Sequence, residues 1–325
     1  MKAAVIEKQG GLENIVYRDW IDPEPSADDV IVRVHACGLN HLDIFVRRGM
    51  PGFPVPMPFI SGGDISGIVE QVGDNVTGWA IGDRVTLNPQ TDKGMIGEEL
   101  IGGLAELVCV PAKNLIALPD QVSFKIAAAI PINYGTAHRM LFSRGRLQAG
   151  ETMLVLGASG GVGLACIQFG KMVGARVIAA ASSDEKCEKL IELGADHVIN
   201  YEKQEFSKAA WVASGKKGCD VVVNFTGGET WAPSLRSTKK RGRVLTCGAT
   251  AGHDPKTDLR YVWVRELDVL GSNSYSQEDV AHSVNYVASG KLLPIVSNTF
   301  PLEKLAEAER LMEKREFFGK IVLIP

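Results

Sequence analysis

The sequence predicts an α/β protein of two domains, a mostly β domain followed by a doubly wound parallel sheet. The chain has 325 residues, more than the roughly 250–300 at which single cores stop growing. Its first part consists of short apolar runs punctuated by glycine, proline and aspartate, which is typical of strands joined by turns. Its middle part alternates apolar strands with helices, as expected for a parallel sheet covered on both faces.

The β pattern occupies residues 1–123, with runs such as "DVIVRVHACG" and "SGIVEQVGDNV". Strand–helix alternation occupies 124–270, where the predicted strands are "TMLVLG", "RVIAAA", "HVIN", "CDVVVNF", "GRVLTCG" and "LDVLGS". After 271, the helix "SQEDVAHSVNYVASG" and the strand "GKIVLIP" are expected to rejoin the first domain. We therefore predict domains at 1–123 with 271–325, and at 124–270.

Composition and charge argue against several classes of protein. The formal net charge of −3 provides no general attraction to nucleic acid or to an anionic membrane. Glu7 and Lys8 interrupt the place where a signal peptide needs its apolar core. The six cysteines are scattered without C-x-x-C spacing, a reduced and intracellular pattern. We expect a cytoplasmic protein with neither a membrane nor a nucleic acid as partner.

One basic run, "KKRGR" at 239–243, is the exception to this charge pattern. We predict a solvated loop there. The alternative from a different functional class is a non-catalytic, cofactor-bound protein that binds nucleic acid through this run.

A glycine-rich turn, "LVLGASGGVGLACIQFG", lies between an apolar strand and a helix. Glycines let the backbone approach a pyrophosphate, and the helix N-terminus offers free N–H groups and a positive dipole end. The spacing departs from G-x-G-x-x-G by one extra residue after Gly157, and glycines can also serve close packing alone. The context favours a dinucleotide, with the contacts predicted at Ser159, Gly160, Gly161 and Val162.

The end of the next strand, "RVIAAASSDEK", bears on which dinucleotide binds. An NAD site usually has an acidic residue there for the ribose 2′-hydroxyl. Ser182, Ser183 and Lys186 instead suit a 2′-phosphate, while Asp184 and Glu185 suit the first turn of the following helix. We predict NADPH as the cofactor.

The segment "ACGLNHLDIF" places Cys37, His41 and Asp43 within seven positions. A catalytic zinc needs three such ligands and an open position. No second Cys or His cluster follows to complete a site, and no group of four closely spaced cysteines suggests a structural zinc. We expect no metal.

The whole chain resembles the medium-chain dehydrogenase/reductase superfamily, and within it the zinc-independent quinone oxidoreductase branch. The resemblance rests on "GLNHLD", "GGDISGIVEQVG", "GDRV", "AAAIPINYGTA", "GASGGVG", "LGADHVINY", "GRVLTCGA" and "GKIVLIP" in this order. It implies a GroES-like N-terminal β domain and a Rossmann domain, with the cofactor in the cleft between them.

The resemblance also bears on the metal. Zinc-dependent members have their ligands at the positions of Asn40, Gly63 and Ile132, with Asp64 at the neighbouring acidic position. His41 stands at a proton-relay position, but the adjoining hydroxyl residue is replaced by Leu42. The Lewis acid and the relay of metal-assisted alcohol oxidation are therefore both expected to be missing.

The remaining site residues follow from the resemblance. Asn40 and Asp43 match an N-x-x-D pattern beside the nicotinamide, where the Asn40 amide would orient the carboxamide or a substrate carbonyl; Asp43 is alternatively a helix cap. Tyr134 is a candidate proton or hydrogen-bond donor, or a buried tyrosine with a satisfied hydroxyl. The other implied cofactor positions are Thr136, Tyr201, Gly248, Ala249, Ser272, Asn273 and Arg315.

These observations predict a zinc-independent, NADPH-dependent reductase of quinones or α,β-unsaturated carbonyls. The alternative within enzymes is an alcohol or aldehyde dehydrogenase of the same superfamily. The resemblance implies a homodimer, joined near "YVWVRELDVLGS". The loop "RRGMPGFPVPMPF" is expected to line an apolar pocket mouth.

Overall fold

The computed structural model describes residues 1–49 and 54–325, and its contacts divide the chain into two units. The first unit combines Met1–Ile132 with Ser276–Pro325, and the second is Asn133–Tyr275. The domain changes predicted from sequence lie at 123/124 and 270/271. Part of the loop predicted to line a pocket mouth, residues 50–53, lies outside the described residues.

The strands follow the apolar runs of the sequence. In chain order they are β1 (Lys2–Ile6), β2 (Ile15–Asp19), β3 (Asp29–Gly38), β4 (Asp64–Val72), β5 (Arg84–Leu87), β6 (Gln90–Thr91), β7 (Gly94–Met95), β8 (Leu107–Pro111), β9 (Leu115–Ala117), β10 (Thr152–Val155), β11 (Arg176–Ala181), β12 (His197–Asn200), β13 (Cys219–Val223), β14 (Thr238–Thr246), β15 (Asp268–Gly271), β16 (Val296–Pro301) and β17 (Lys320–Ile324).

The helices are short. In chain order they are α1 (His41–Arg48), α2 (Phe124–Ala127), α3 (Pro131–His138), α4 (Gly161–Val173), α5 (Asp184–Glu192), α6 (Phe206–Ala213), α7 (Trp231–Ser237), α8 (Leu259–Val264), α9 (Gln277–Ala288) and α10 (Leu305–Glu313). In the described ranges, none has the combined length and hydropathy that a bilayer crossing requires. The six cysteines are free thiols, and the cytoplasmic location stays a prediction.

The first unit is built on a seven-stranded sheet in which β3 is central. The strand order is β16-β17-β3-β4-β5-β9, and β8 also pairs with β3. Gly38, at the end of β3, is in register with Asp64 of β4 and with Val322 of β17. The segment after β3 therefore lies beside the beginnings of two strands that are distant in sequence.

The second unit is a six-stranded parallel sheet in the order β12-β11-β10-β13-β14-β15. This is the strand order of a Rossmann fold, with its switch point between β10 and β13. Strands β10, β11 and β13 are almost entirely buried because their side chains are apolar on both faces. The predicted α/β class, with a parallel sheet and a mostly β first domain, is confirmed.

The prediction of a loop at 239–243 is wrong, because these residues belong to β14, but the Lys240 and Arg241 side chains are solvated as predicted, 62% and 77% exposed. The strand tolerates the charges because each has an acidic partner. Lys239 pairs with Asp220, and Arg241 with Glu266 at 2.6 Å; Lys240 also lies near Glu266, and Arg243 pairs with Glu151. Lys240 and Arg241 therefore share one acidic partner, Glu266.

Candidate active site

The glycine-rich turn joins β10 to α4 in the second unit. Gly157 has a φ of +64°, in the left-handed region that favours glycine. Gly160 is the N-cap of α4, and no side chain among the described residues makes a capping hydrogen bond there. The N–H groups of the first turn are therefore left without a side-chain acceptor, which suits a phosphate.

The glycines of this turn serve different purposes. A Cβ at Gly163 would lie 2.5 Å from the Gly157 oxygen, so this glycine is required by packing of the helix against the turn. A Cβ at Gly160 would meet nothing closer than the Gly157 oxygen at 3.6 Å. Contacts within the protein therefore do not require glycine at position 160. Close approach of a pyrophosphate would require it.

The predicted 2′-phosphate residues lie at the end of β11. Ser183 is the N-cap of α5, and its hydroxyl accepts a hydrogen bond from the Lys186 N–H at 3.2 Å. Asp184 accepts from Asn200 Nδ2 at 2.6 Å and pairs with Lys203, which lowers the pKa of its carboxyl. Asp184 is therefore engaged within the protein beside the two serines.

The other predicted cofactor residues of the second unit are at strand ends. Gly248 and Ala249 follow β14, and Ser272 and Asn273 follow β15. The Ser272 hydroxyl is buried without a hydrogen-bond partner in the described part of the chain. Such a hydroxyl is expected to find a partner in a bound ligand or water.

Three more of the predicted cofactor residues remain, two in the second unit and one in the first. Thr136 is buried in α3, and Tyr201 follows β12 half-buried against the core. Arg315, in the first unit, is exposed after α10 with a φ of +58°.

Tyr134 is buried and its hydroxyl accepts a hydrogen bond from Gln168 Nε2 at 3.0 Å. Burial raises the pKa of this phenol well above its ordinary value. Because the phenol oxygen is the acceptor in this bond, its own proton stays available, and the role of Tyr134 stays a prediction.

Asn40 and Asp43 lie at the start of α1 in the first unit. One Asp43 oxygen accepts from the Asn40 N–H at 2.7 Å, and the other accepts from the Gly62 N–H at 2.8 Å. The Asp43 carboxylate is therefore a helix cap that also holds the chain before β4, with both oxygens bonded to the backbone.

The Asn40 side chain belongs to a buried polar network that the sequence analysis missed. Its Oδ1 accepts from Lys320 Nζ at 2.7 Å, and its Nδ2 donates to Asp64 Oδ2 at 2.9 Å. Lys320 and Asp64 also form an ion pair, and the second Asp64 oxygen accepts from the Ile132 N–H at 2.7 Å. The sequence signal for this network was Lys320, a lysine in the otherwise apolar strand "KIVLI".

This network occupies the positions that the resemblance assigned to zinc ligands. Asn40 is a member of the network, the Ile132 N–H donates to Asp64 Oδ1, and Gly63 precedes Asp64. Among the described residues, no three His, Cys, Asp or Glu side chains are grouped to hold a metal ion.

Burial shifts the titration of Asp43 and His41 in opposite senses. It raises the pKa of Asp43 to about 7, against the two N–H donors that favour its charge. It lowers the pKa of His41 to about 4, assisted by the positive charges of Arg315, Lys320 and Arg48. At neutral pH the imidazole is therefore uncharged.

We predict that Asp43→Asn changes the pH dependence of stability between about pH 4 and pH 7. Because the folded state holds the Asp43 proton more tightly than the unfolded state, this carboxyl's contribution is present below pH 4 and is lost as pH rises to 7. Measured by urea unfolding, the free energy of unfolding of the variant relative to wild type should rise by up to about 1.4 kcal/mol per pH unit in this window.

His41 contributes to the pH dependence of stability with the opposite sign. Its contribution is the same in variant and wild type, so it cancels from their difference. Asp184→Asn is the control, since the pKa of that carboxyl is lowered and its difference curve should be flat from about pH 5 to pH 7. A flat curve for Asp43→Asn as well would contradict the raised pKa.

Comparisons with known proteins agree with this architecture. Residues 26–120 match the family model "Alcohol dehydrogenase GroES-like domain", and residues 161–289 match "Zinc-binding dehydrogenase". The chain is 30% identical to quinone oxidoreductase of Rattus norvegicus over 332 residues, covering 100% of this chain and 98% of the relative.

Two solved structures have the same fold. One is an NAD-dependent alcohol dehydrogenase, 37% identical with a TM-score of 0.95, each chain covered in full. The other is a quinone oxidoreductase of Pseudomonas syringae pv. Tomato DC3000, 30% identical with a TM-score of 0.87, covering 100% of this chain and 99% of that one.

Fold and site together define a nicotinamide-dinucleotide-dependent oxidoreductase of two domains. The chain belongs to the medium-chain dehydrogenase/reductase superfamily, in its quinone oxidoreductase-like branch.

Proposed function

We propose that the protein is an NADPH-dependent reductase that transfers hydride to a quinone or an α,β-unsaturated carbonyl without zinc. The observation that carries this proposal is the Asn40–Asp64–Lys320 network, which places an amide and an ion pair at and beside the positions that the resemblance assigns to zinc ligands. The similarity to quinone oxidoreductases supports the same reaction class.

The residues of the second unit fit the cofactor. The turn at Ser159–Val162 offers N–H groups to the pyrophosphate, and Ser182, Ser183 and Lys186 would receive the 2′-phosphate. Bound NADPH supplies the hydride at its nicotinamide ring. The buried, unpartnered Ser272 hydroxyl is a further group available to it.

Reduction of these acceptors requires few catalytic groups beyond the cofactor. Hydride addition to an enone or quinone leaves a delocalised anion, which oriented dipoles can stabilise without a metal. His41 is neutral at physiological pH, and burial makes the Tyr134 phenol a weaker acid by raising its pKa, so we assign neither as proton donor. Water is the proposed source of the final proton.

The first experiment is optical measurement of NADPH oxidation with a quinone, an alkenal and an enone. The reverse assay uses a primary alcohol with NADP+, and metal content is measured on the same sample. We expect turnover of the unsaturated acceptors, no bound zinc, and a lower dissociation constant for NADPH than for NADH. Tighter binding of NADH would overturn the cofactor assignment.

The second candidate is an alcohol or aldehyde dehydrogenase. The observation in its favour is the 37% identity to a solved structure described as an NAD-dependent alcohol dehydrogenase. Alcohol oxidation accompanied by stoichiometric zinc would establish this reading and overturn the reductase.

We also propose a homodimer that forms at the edge of the parallel sheet. Strand β15 is an edge strand, and the neighbouring apolar side chains Leu259, Trp263, Val264 and Val269 are exposed. An open edge beside exposed apolar residues is a place where a second copy can pair. Light scattering should give twice the chain mass of 35.0 kDa, and a monomer at all concentrations would remove the proposal.

A further inference from the structure

Two turns of the second unit lie side by side, one after β11 and one after β12. The two strands are parallel neighbours, and Ala181 at the end of β11 is in register with Asn200 at the end of β12. The Tyr201 N–H also donates to the Ala181 oxygen at 3.1 Å. Because parallel strands end at the same edge of a sheet, the residues after β12 lie beside the start of α5.

The acidic residue that begins α5 is held by the end of β12 and the turn after it. Asp184 Oδ1 accepts from Asn200 Nδ2 at 2.6 Å, and Asp184 Oδ2 pairs with Lys203 Nζ. Asn200 is buried, and its Oδ1 accepts from the Glu202 N–H at 3.1 Å. The backbone oxygen of Asn200 accepts from the Lys203 N–H at 3.2 Å. A buried amide therefore fixes both the Asp184 carboxylate and the turn that carries Lys203.

The charge of Asp184 bears directly on which dinucleotide this turn can bind. The residue follows Ser183, in the turn proposed for the 2′-phosphate. An unpaired carboxylate there repels a phosphate, whereas it does not repel a ribose hydroxyl. The ion pair lowers the pKa of Asp184 and raises that of Lys203, so both groups are charged at neutral pH and their charges cancel.

We propose that Lys203 is a specificity-determining residue, which cancels the charge of Asp184 and thereby allows the turn after β11 to accept a 2′-phosphate. Asn200 is the positioning residue that holds the pair in place. The proposal rests on the cofactor of the proposed function. It adds a determinant from the turn after β12 to the residues that would contact the phosphate themselves.

The test compares dissociation constants for NADPH and NADH, which differ in the 2′-phosphate alone, measured by fluorescence. The readout is the ratio Kd(NADH)/Kd(NADPH). Lys203→Met leaves the charge of Asp184 uncompensated, and we expect the ratio to fall by roughly 3- to 10-fold, as for one added charge near the phosphate at a protein surface. The fall should come from weaker binding of NADPH, because NADH has an uncharged hydroxyl in place of the phosphate.

The double variant Lys203→Met/Asp184→Asn separates charge from structure. Asparagine keeps an oxygen for the bond from Asn200 and removes the charge, so the ratio should return to within about 2-fold of wild type. Asp184→Asn alone leaves the charge of Lys203 uncompensated, and the ratio should rise by roughly 3-fold. A purely structural Lys203 would change both dissociation constants equally, and the second substitution would restore nothing. That result would overturn the proposal.

The Lys171–Asp196 pair provides the matched control. It joins the same two residue types at 2.7 Å, and Asp196 directly precedes β12, whereas Asn200 ends it. The length of this strand, 4 residues, separates the pair from the turn after β12 by roughly 13 Å. That separation exceeds the Debye length of about 8 Å at 0.15 M ionic strength, so Lys171→Met should leave the ratio within about 2-fold of wild type. An equal fall for both lysine variants would show an effect of net charge alone and would overturn the role of Lys203.

The outcomes distinguish this inference from the proposed function. A wild type that binds NADH more tightly than NADPH would overturn the cofactor assignment, while a fall in the ratio for Lys203→Met would still support the inference. The expected set of ratios without reduction of any acceptor would support the inference while the reductase assignment failed. Reductase activity with an unchanged ratio in Lys203→Met would overturn the inference alone. Absence of binding of either dinucleotide would overturn both.

Discussion

Replacing Arg47 by methionine is expected to lower the free energy of unfolding by about 3–5 kcal/mol, the usual loss when one partner of a buried ion pair is removed. Arg47 is only 1% exposed. It donates to Glu309 Oε2 at 2.5 Å and to the Gly10 oxygen at 2.6 Å, and it pairs with Glu313. Glu309 is completely buried, and its other oxygen has no partner among the described residues.

The neighbouring Arg48 provides the control. Its side chain is 56% exposed and it pairs with the same Glu313 at 2.8 Å. Arg48→Met should therefore cost at most about 1 kcal/mol, since exposed pairs contribute little. Urea unfolding of both variants measures the difference. Equal losses would mean that burial of Glu309 is not what makes Arg47 important.

The second large effect is expected from alanine at two glycines of the nucleotide turn. Gly160→Ala should leave stability within about 1 kcal/mol of wild type, because the added methyl meets no atom closer than 3.6 Å. The same methyl lies where a pyrophosphate would approach. We expect the dissociation constant for NADPH to rise by roughly 10-fold or more, as for overpacking costing 1–3 kcal/mol.

Gly163→Ala should behave differently. Its methyl would lie 2.5 Å from the Gly157 oxygen and 2.7 Å from Ala158 Cα, and backbone atoms cannot yield without moving the helix. The free energy of unfolding without cofactor should fall by about 1–3 kcal/mol. Calorimetry for stability and fluorescence titration for NADPH distinguish the two variants. If Gly160→Ala bound NADPH as wild type does, the turn would not be the pyrophosphate site.

Most of the second unit could be predicted from local sequence. Strands β10, β11 and β13 are apolar on both faces, and β10, the glycine turn and α4 are contiguous, so the relevant signals lie within a short segment. The structure of residues 239–243 was predicted wrongly because it depends on residues that are distant in sequence. Its charges resemble a solvated loop locally, and their partners are distant in sequence, Asp220 in β13 and Glu266 in the turn before β15.

The site in the first unit could be predicted only in part. The motif around Asn40 and Asp43 was visible, and the capping alternative for Asp43 agrees with its two backbone bonds. The contact of Asn40 with Lys320 joins residues 280 positions apart. It depends on the register of β3 with β17, and no local pattern encodes that register.

The pairing of β3 with β17 also imposes an order on biosynthesis. The second unit is one continuous stretch, Asn133–Tyr275, and it is complete before Ser276–Pro325 is translated. The first unit is completed later, because β16 and β17 complete its sheet and Lys320 completes the network around Asn40. While the ribosome makes the intervening residues, Asp64 has no cationic partner and the β3 edge has no neighbour in β17. During that interval the nascent first unit presents an open edge that other chains or chaperones can engage.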